Sequence, residues 1–327
     1  MTTIAPAAPA RRDVSPARHW RWTQPGLLLT GGALVLLIDP GPFDLRVITL
    51  VVAYAVAATG FNVLVGFAGI VSIGNSVFLA AGGYAWALLA TSYGPLVALL
   101  AGVVLAAVIA ALAGVLLLRL RAYYFAVATL ALGTLGTVVV RNWTAVTNGD
   151  AGITNVGYIK VFGLSGVPSI FVAAVVLLAL VSFLQEALRT SPVGQAMIIG
   201  RYDPPAAEGI GVSVAYTRVV AFVLSAVTAA LGGALIAQLA GGAFPDQFAT
   251  TSAISLLVIP IIAGRGWRWA PLVGAAIVIA LPEYLRFLAE YRLVVYGAAV
   301  VLVALFLPGG VHQVVRAVAE RLGRSRG

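Results

Sequence analysis

Apolar stretches separated by short polar interruptions dominate the chain, running at about 24–38, 46–65, 76–92, 95–118, 122–140, 168–188, 217–240, 253–263, 270–288 and 293–307. A helix needs roughly 20 apolar residues to cross ~30 Å of hydrocarbon, and these runs lack the period-2 alternation of barrel strands. The pattern predicts an all-α fold, a polytopic transmembrane helical bundle with about ten crossings. Two runs are short. The 24–38 run is marginal, and 253–263, with Pro260 inside and Gly264 after it, predicts a tilted or broken helix. Between the second and third runs, Gly66 to Asn75 (GFAGIVSIGN) carries no charge and few helix formers. Such a stretch reads as a broken or re-entrant segment beside a pathway, or as an interfacial turn.

Charge placement sets the expected orientation, because Lys and Arg favour the cytoplasmic side. With the amino terminus inside, the inner group is Arg11, Arg12, Arg18, Arg21, Arg119, Arg121, Arg189, Arg201, Arg218, Arg265, Arg268, Arg316, Arg321, Arg324 and Arg326. Only Arg46, Arg141, Lys160, Arg286 and Arg292 fall outside. Both termini are then cytoplasmic. A tail at 1–23, rich in Ala, Pro and Arg and expected to be disordered, precedes a membrane domain at 24–310, and a basic tail at 311–327 suits a surface of anionic lipid. No small-residue cleavage site follows the first apolar run, so the leading segment is read as part of the mature chain.

Composition narrows the chemistry. At 61% hydrophobic and 9% charged, the 327 residues carry more apolar surface than a soluble core could bury. The net charge of +9 lies beside and beyond the spans, so no nucleic-acid partner is expected. There is no Cys, and His19 and His312 both lie in terminal segments, which excludes a thiolate nucleophile and a histidine metal or proton-relay site inside the membrane. The acids sit in loops or at span ends, where they do not serve ion coupling. A G-x-x-x-x-G-K-[ST] motif is missing, so the chain is not its own ATPase, and no constellation for a membrane enzyme stands out.

The most sharply punctuated polar interruption is Arg201 to Val212, RYDPPAAEGIGV. Asp203 can cap a helix start, Pro204 or Pro205 suits its first turn, Ala206, Ala207 and Glu208 favour helix, and Gly209 and Gly211 favour its end. One short exposed helix is predicted, either a plain connection or a docking element for a partner. Two loops fall on the outer side, 141–167, rich in Asn, Thr and Gly, and 241–251, with Phe244-Pro245-Asp246-Gln247-Phe248 as a turn.

Several stretches, in order, resemble the permease subunits of branched-chain amino acid ABC importers of the LivM type, over about residues 45 to 311. Leu64-Val65-Gly66-Phe67-Ala68-Gly69 with Ser72-Ile73-Gly74 and Gly82-Gly83-Tyr84 is similar to one family segment. Tyr124-Phe125-Ala126, Thr129-Leu130, Asn142-Trp143 and Gly152-Ile153 resemble a second. Ser191-Pro192-Val193-Gly194-Gln195-Ala196, Arg201, Ala206-Ala207-Glu208 and Gly211 resemble the family's cytoplasmic loop, and Pro271 to Ala275 with Pro282 to Arg286 complete the likeness. The chain departs from the family at Asn75 (usually His or Gln), at Thr134 (often Glu), at Gly264-Arg265-Gly266-Trp267 and at Pro204-Pro205.

The resemblance implies a multi-pass transport subunit of a bacterial inner membrane, not an enzyme. It works with a second permease subunit, two ATP-binding cassette subunits that bind the ATP, and a periplasmic or lipid-anchored substrate-binding protein. This chain itself would hold no cofactor and no metal. The coupling loop would be Arg201, Asp203, Ala206, Ala207, Glu208, Gly209 and Gly211. A neutral substrate path would use Asn62, Ser72, Asn75, Ser76, Thr129 and Thr134. Branched-chain or related amino acids are the expected cargo, with urea or short amides, or a stand-alone facilitator, as alternatives.

Overall fold

A computed structural model describes residues 20–117, 120, 122–160, 163–285, 297 and 310–313. The long helices follow the apolar runs: α1 (Trp20–Ile38), α2 (Pro42–Gly66), α3 (Ser76–Tyr93), α4 (Pro95–Leu117) and α5 (Ala122–Asn142), then α7 (Val167–Arg189) and α10 (Val214–Ala240). Shorter pieces fill the joints: α6 (Thr144–Thr147), α8 (Pro192–Tyr202), α9 (Pro204–Gly209), α11 (Thr250–Ala263), α12 (Ala270–Ala275) and α13 (Leu281–Tyr284). Among the described residues, six helices are long and apolar enough to cross a membrane, and two shorter apolar ones cover 23–38 and 270–284. The fold is an all-α polytopic bundle. The expected crossing at 293–307, Gly297 apart, lies outside the described residues, as do most of both tails.

Local chemistry sets the helix ends. Pro42, Pro168 and Pro192 occupy first-turn positions, where the missing N–H costs nothing. Ser191 and Ser213 cap α8 and α10 by accepting from the Gly194 and Tyr216 amides. The short 253–263 run is extended at its start by a 3-10 turn, Pro245–Phe248, and continues through Pro260 to stop at Gly264. Between α12 and α13 the backbone makes a π turn, Ala276–Ala280. Pro282 cannot donate to the preceding turn, and the wider π turn accommodates that loss.

Helix α10 is the packing centre, set against α2, α3, α4 and α7, while α1 lies on α7. The chain turns gather at two ends. At the arginine-rich end, Gln24 exchanges hydrogen bonds with Arg268, Gly66 meets Gly266, and Arg201 donates to Gly66 O. At the opposite end, Tyr284 donates to Asp44 at 2.9 Å, and Arg141 pairs with Asp150 at 2.8 Å and with Asp246. There the two loops anticipated as separate turns join: β1 (Ile153–Thr154) pairs antiparallel with β2 (Gly242–Ala243). Arg201 and Arg268 thus share one end of the bundle, and Arg141 lies at the other.

Candidate functional site

Helix α2 stops at Gly66, and α3 begins only at Ser76. The intervening chain is irregular yet largely buried, with Phe67, Ala68, Ile70, Ser72, Gly74 and Asn75 all inside. Asn75 donates from Nδ2 to Ser225 Oγ at 2.7 Å. Ser225 stands eleven residues into α10, about 17 Å from its start at 1.5 Å per residue. The segment therefore turns back into the depth of the bundle. Irregular backbone at membrane depth needs partners within the protein, and it has them. The Ala68 and Ile70 amides donate to Val63 O and Leu64 O, Ile73 N to Thr129 Oγ1 at 3.1 Å, and Gly74 N to Ser72 Oγ.

Four of the six expected path residues meet here. Ser72 Oγ donates to Asn75 Oδ1 at 3.0 Å, Thr129 holds Ile73, and the buried Ser76 hydroxyl has no hydrogen-bond partner among the described residues. Asn62 sits elsewhere, clamping the 264–269 turn by donating to Trp267 O at 2.9 Å and accepting from Gly266 N at 2.8 Å. Thr134 is on the exposed face of α5, its hydroxyl turned to Leu130 O. Residues five apart on a helix lie about 140° apart around its axis, so Thr129 and Thr134 cannot share a face. None of the six lines the cavities of about 470, 470 and 600 Å³ found elsewhere in the bundle.

The second candidate region is at the arginine-rich end. Asp203 caps α9 by accepting from Ala206 N at 3.1 Å, and Pro204 starts it. Gly211, at φ +84°, closes the turn, with Val212 N donating to Ala207 O at 3.0 Å. Ala207 is fully buried, whereas Asp203, Ala206, Glu208 and Gly209 are exposed. Tyr202, Ile210 and Tyr216 around them are 79%, 70% and 63% exposed, an apolar surface beside a polar helix. Replacing Asp203 by Ala is expected to cost about 1 kcal/mol of local helix stability. The check is faster amide exchange at Ala206 with α10 amides unchanged.

Arg201 connects the two regions. From the last turn of α8 it donates to Gly66 O, the final carbonyl of α2, and its stem lies on Gly69. A Cβ on Gly69 would stand 2.6 Å from Arg201 Cγ, and its φ is +69°, so both the backbone and the contact require glycine. Further round the same end, Arg268 donates to Gln24 Oε1 and Thr23 Oγ1, and Gln24 Nε2 donates back to Arg268 O at 2.7 Å. Burial pulls the Arg268 guanidinium below its ordinary pKa, and the nearby Glu186 carboxylate opposes that fall. Sequence reasoning missed Ser225, Gln24 and the inward turn of Arg201. Only Gly69 signalled the last of these, as a glycine facing an arginine across a long separation.

A family model described as the permease component of the branched-chain amino acid transport system matches residues 45–304. The chain belongs to this permease family. It is 29% identical over 319 residues to the high-affinity branched-chain amino acid transport system permease protein LivM of Salmonella typhimurium, covering 89% of this chain and 74% of that protein. The LivM protein of Escherichia coli K12 is 28% identical over the same shares. No solved structure matches significantly. The matched range holds both regions of this permease, the break at 67–75 and the α8–α9 loop.

Proposed function

We propose that this permease is the membrane subunit of an ATP-driven importer for branched-chain or related amino acids, coupled to its ATPase through residues 201–212. The observation that carries the reading is Arg201, which ties the exposed α9 loop to the carbonyl at the entrance of the break. Helix α9 offers an exposed Ala206, orienting polar groups at Asp203 and Glu208, and an apolar surround, which suit a groove on a cytoplasmic ATP-binding subunit. A rigid shift of α8–α9 would move Gly66 directly and, through the Asn62 clamp, the 264–269 turn. An ATPase that binds one arrangement more tightly then shifts the equilibrium between outward- and inward-open states.

Two ATP-binding subunits supply the energy, and this chain holds no ATP. A second permease subunit completes the membrane part, and a periplasmic or lipid-anchored binding protein delivers cargo to the end built from 141–159 and 241–249. The path runs beside Ser72, Asn75, Ser76 and Thr129, with Asn62 holding the 264–269 turn at its inner end. The assembly sits in the bacterial inner membrane with about ten crossings of this chain and both termini cytoplasmic, a topology supported by the Lys and Arg distribution.

In proteoliposomes containing the complete importer, leucine uptake is expected to require ATP, and Ala206→Trp to reduce it to near background without affecting membrane insertion. Uptake by vesicles containing this chain alone, indifferent to ATP, would establish a facilitator instead. Normal uptake in both Ala206→Trp and Glu208→Lys would remove α9 from the coupling.

A further inference from the structure

At the end opposite α9, a cavity of about 470 Å³ lies between the first half of α2, the last turns of α10 and the start of α11. Its size falls in the range of about 300–1,000 Å³ usual for small-molecule sites. The wall is aliphatic, formed by Val47, Leu50, Ile236 and Leu239. Polar groups are few. Tyr54 and Ser252 contribute hydroxyls, and Ser252 Oγ donates to Gln247 O at 2.7 Å, so that hydroxyl is engaged within the protein. Gln247 Oε1 is different: it is buried and has no hydrogen-bond partner among the described residues. A buried acceptor without a donor is uncommon and calls for a ligand that donates. Opposite charges complete the lining, Arg46 from the second turn of α2 and Glu283 from α13.

An aliphatic wall, an unmatched acceptor, a cation and an anion define one ligand chemistry. We propose that this cavity binds the zwitterion of an aliphatic α-amino acid. The ammonium donates to Gln247 Oε1 and faces Glu283, the carboxylate meets the Arg46 guanidinium, and the side chain covers Val47, Leu50, Ile236 and Leu239. Urea has neither separated charges nor an apolar part, and would leave the wall uncovered. Tyr54 stands six residues before Gly60 on α2, about 9 Å along the helix. Gly60 packs against Ser225, the residue that holds Asn75. The cavity is thus a loading site that cargo occupies one step before the break at 67–75. This assignment rests on the amino acid importer reading and adds to it a place in the chain.

The same ammonium and anion could come from a phosphatidylethanolamine headgroup, and the test separates the two sources. The complete importer in nanodiscs is photolabelled with a diazirine analogue of leucine, with and without phosphatidylethanolamine, and labelled peptides are mapped by mass spectrometry. Labelling is expected within 47–54 and 236–252. Leucine should compete it away, whereas urea and isopentylamine, which lacks the carboxylate, should not. The lipid should make no difference. Gln247→Leu and Arg46→Gln should each weaken leucine competition at least about tenfold, the scale of one lost charge-assisted hydrogen bond. Labelling unaffected by both substitutions, or suppressed by phosphatidylethanolamine and not by leucine, would overturn the proposal. The competitor series uses the unaltered protein, so its outcome does not depend on how the variants fold. Absent labelling with normal ATP-driven uptake sinks the site and leaves the importer; labelling without ATP-driven uptake does the reverse.

Discussion

Gly82→Val is expected to leave no correctly assembled permease in the membrane. A Cβ at Gly82 of α3 would stand 1.9 Å from Ala230 O of α10, and one at Gly233 of α10 would stand 2.0 Å from Leu79 O of α3. These contacts are reciprocal and both involve backbone, so no change of rotamer can relieve them. In hydrocarbon, helices associate through close packing and not through expulsion of water, so forcing α3 from α10 removes the attraction that holds them. Overpacking ordinarily costs about 1–3 kcal/mol, and this site exceeds the ordinary case because backbone must move. Gly31 supplies the control, since a Cβ there meets nothing within 4 Å. Gly31→Val should purify and melt like the parent. A melting temperature for Gly82→Val within about 1 °C of the parent, about 0.7 kcal/mol for a chain of this size, would refute the close approach.

Arg201→Ala should give a folded, inserted chain that has lost most of its ATP-driven uptake. The guanidinium bonds Gly66 O, the stem fills the space left by Gly69, and Gly66 in turn abuts Gly266. Truncation detaches the α8–α9 pair from the entrance of the break without emptying the core, because Arg201 is only half-buried. A hydrogen bond to a charged group contributes about 1.5–3 kcal/mol, and losing it from one of two states shifts their ratio about ten- to a hundredfold. Arg201→Lys should fall between, since an ammonium reaches one acceptor but lacks the planar fork. The measurement is leucine transported per ATP hydrolysed in proteoliposomes, with basal hydrolysis retained. Uptake by Arg201→Ala within about twofold of the parent would show that coupling runs elsewhere.

The α9 loop was legible almost residue by residue, because a cap, a proline at the first turn and a closing glycine act within a few positions of one another. Pro204-Pro205, a departure from the family, simply starts the helix. The path was legible only in part. Small neutral polar residues in apolar runs stand out as special, yet Asn62 serves the 264–269 turn, and Thr134 follows the helical period away from Thr129.

By itself the sequence determined where the long apolar helices among the described residues run, and where α9 starts and stops. Both follow from quantities that belong to single residues or near neighbours: hydropathy and cap chemistry. Tertiary structure alone decided that Asn75 meets Ser225, 150 residues away, that Arg201 reaches back 135 residues to Gly66, and that the two opposite-end loops pair through Ile153 and Ala243. Those partners depend on how closely α10 can approach α2 and α3, which glycine backbones set in three dimensions and no local pattern encodes.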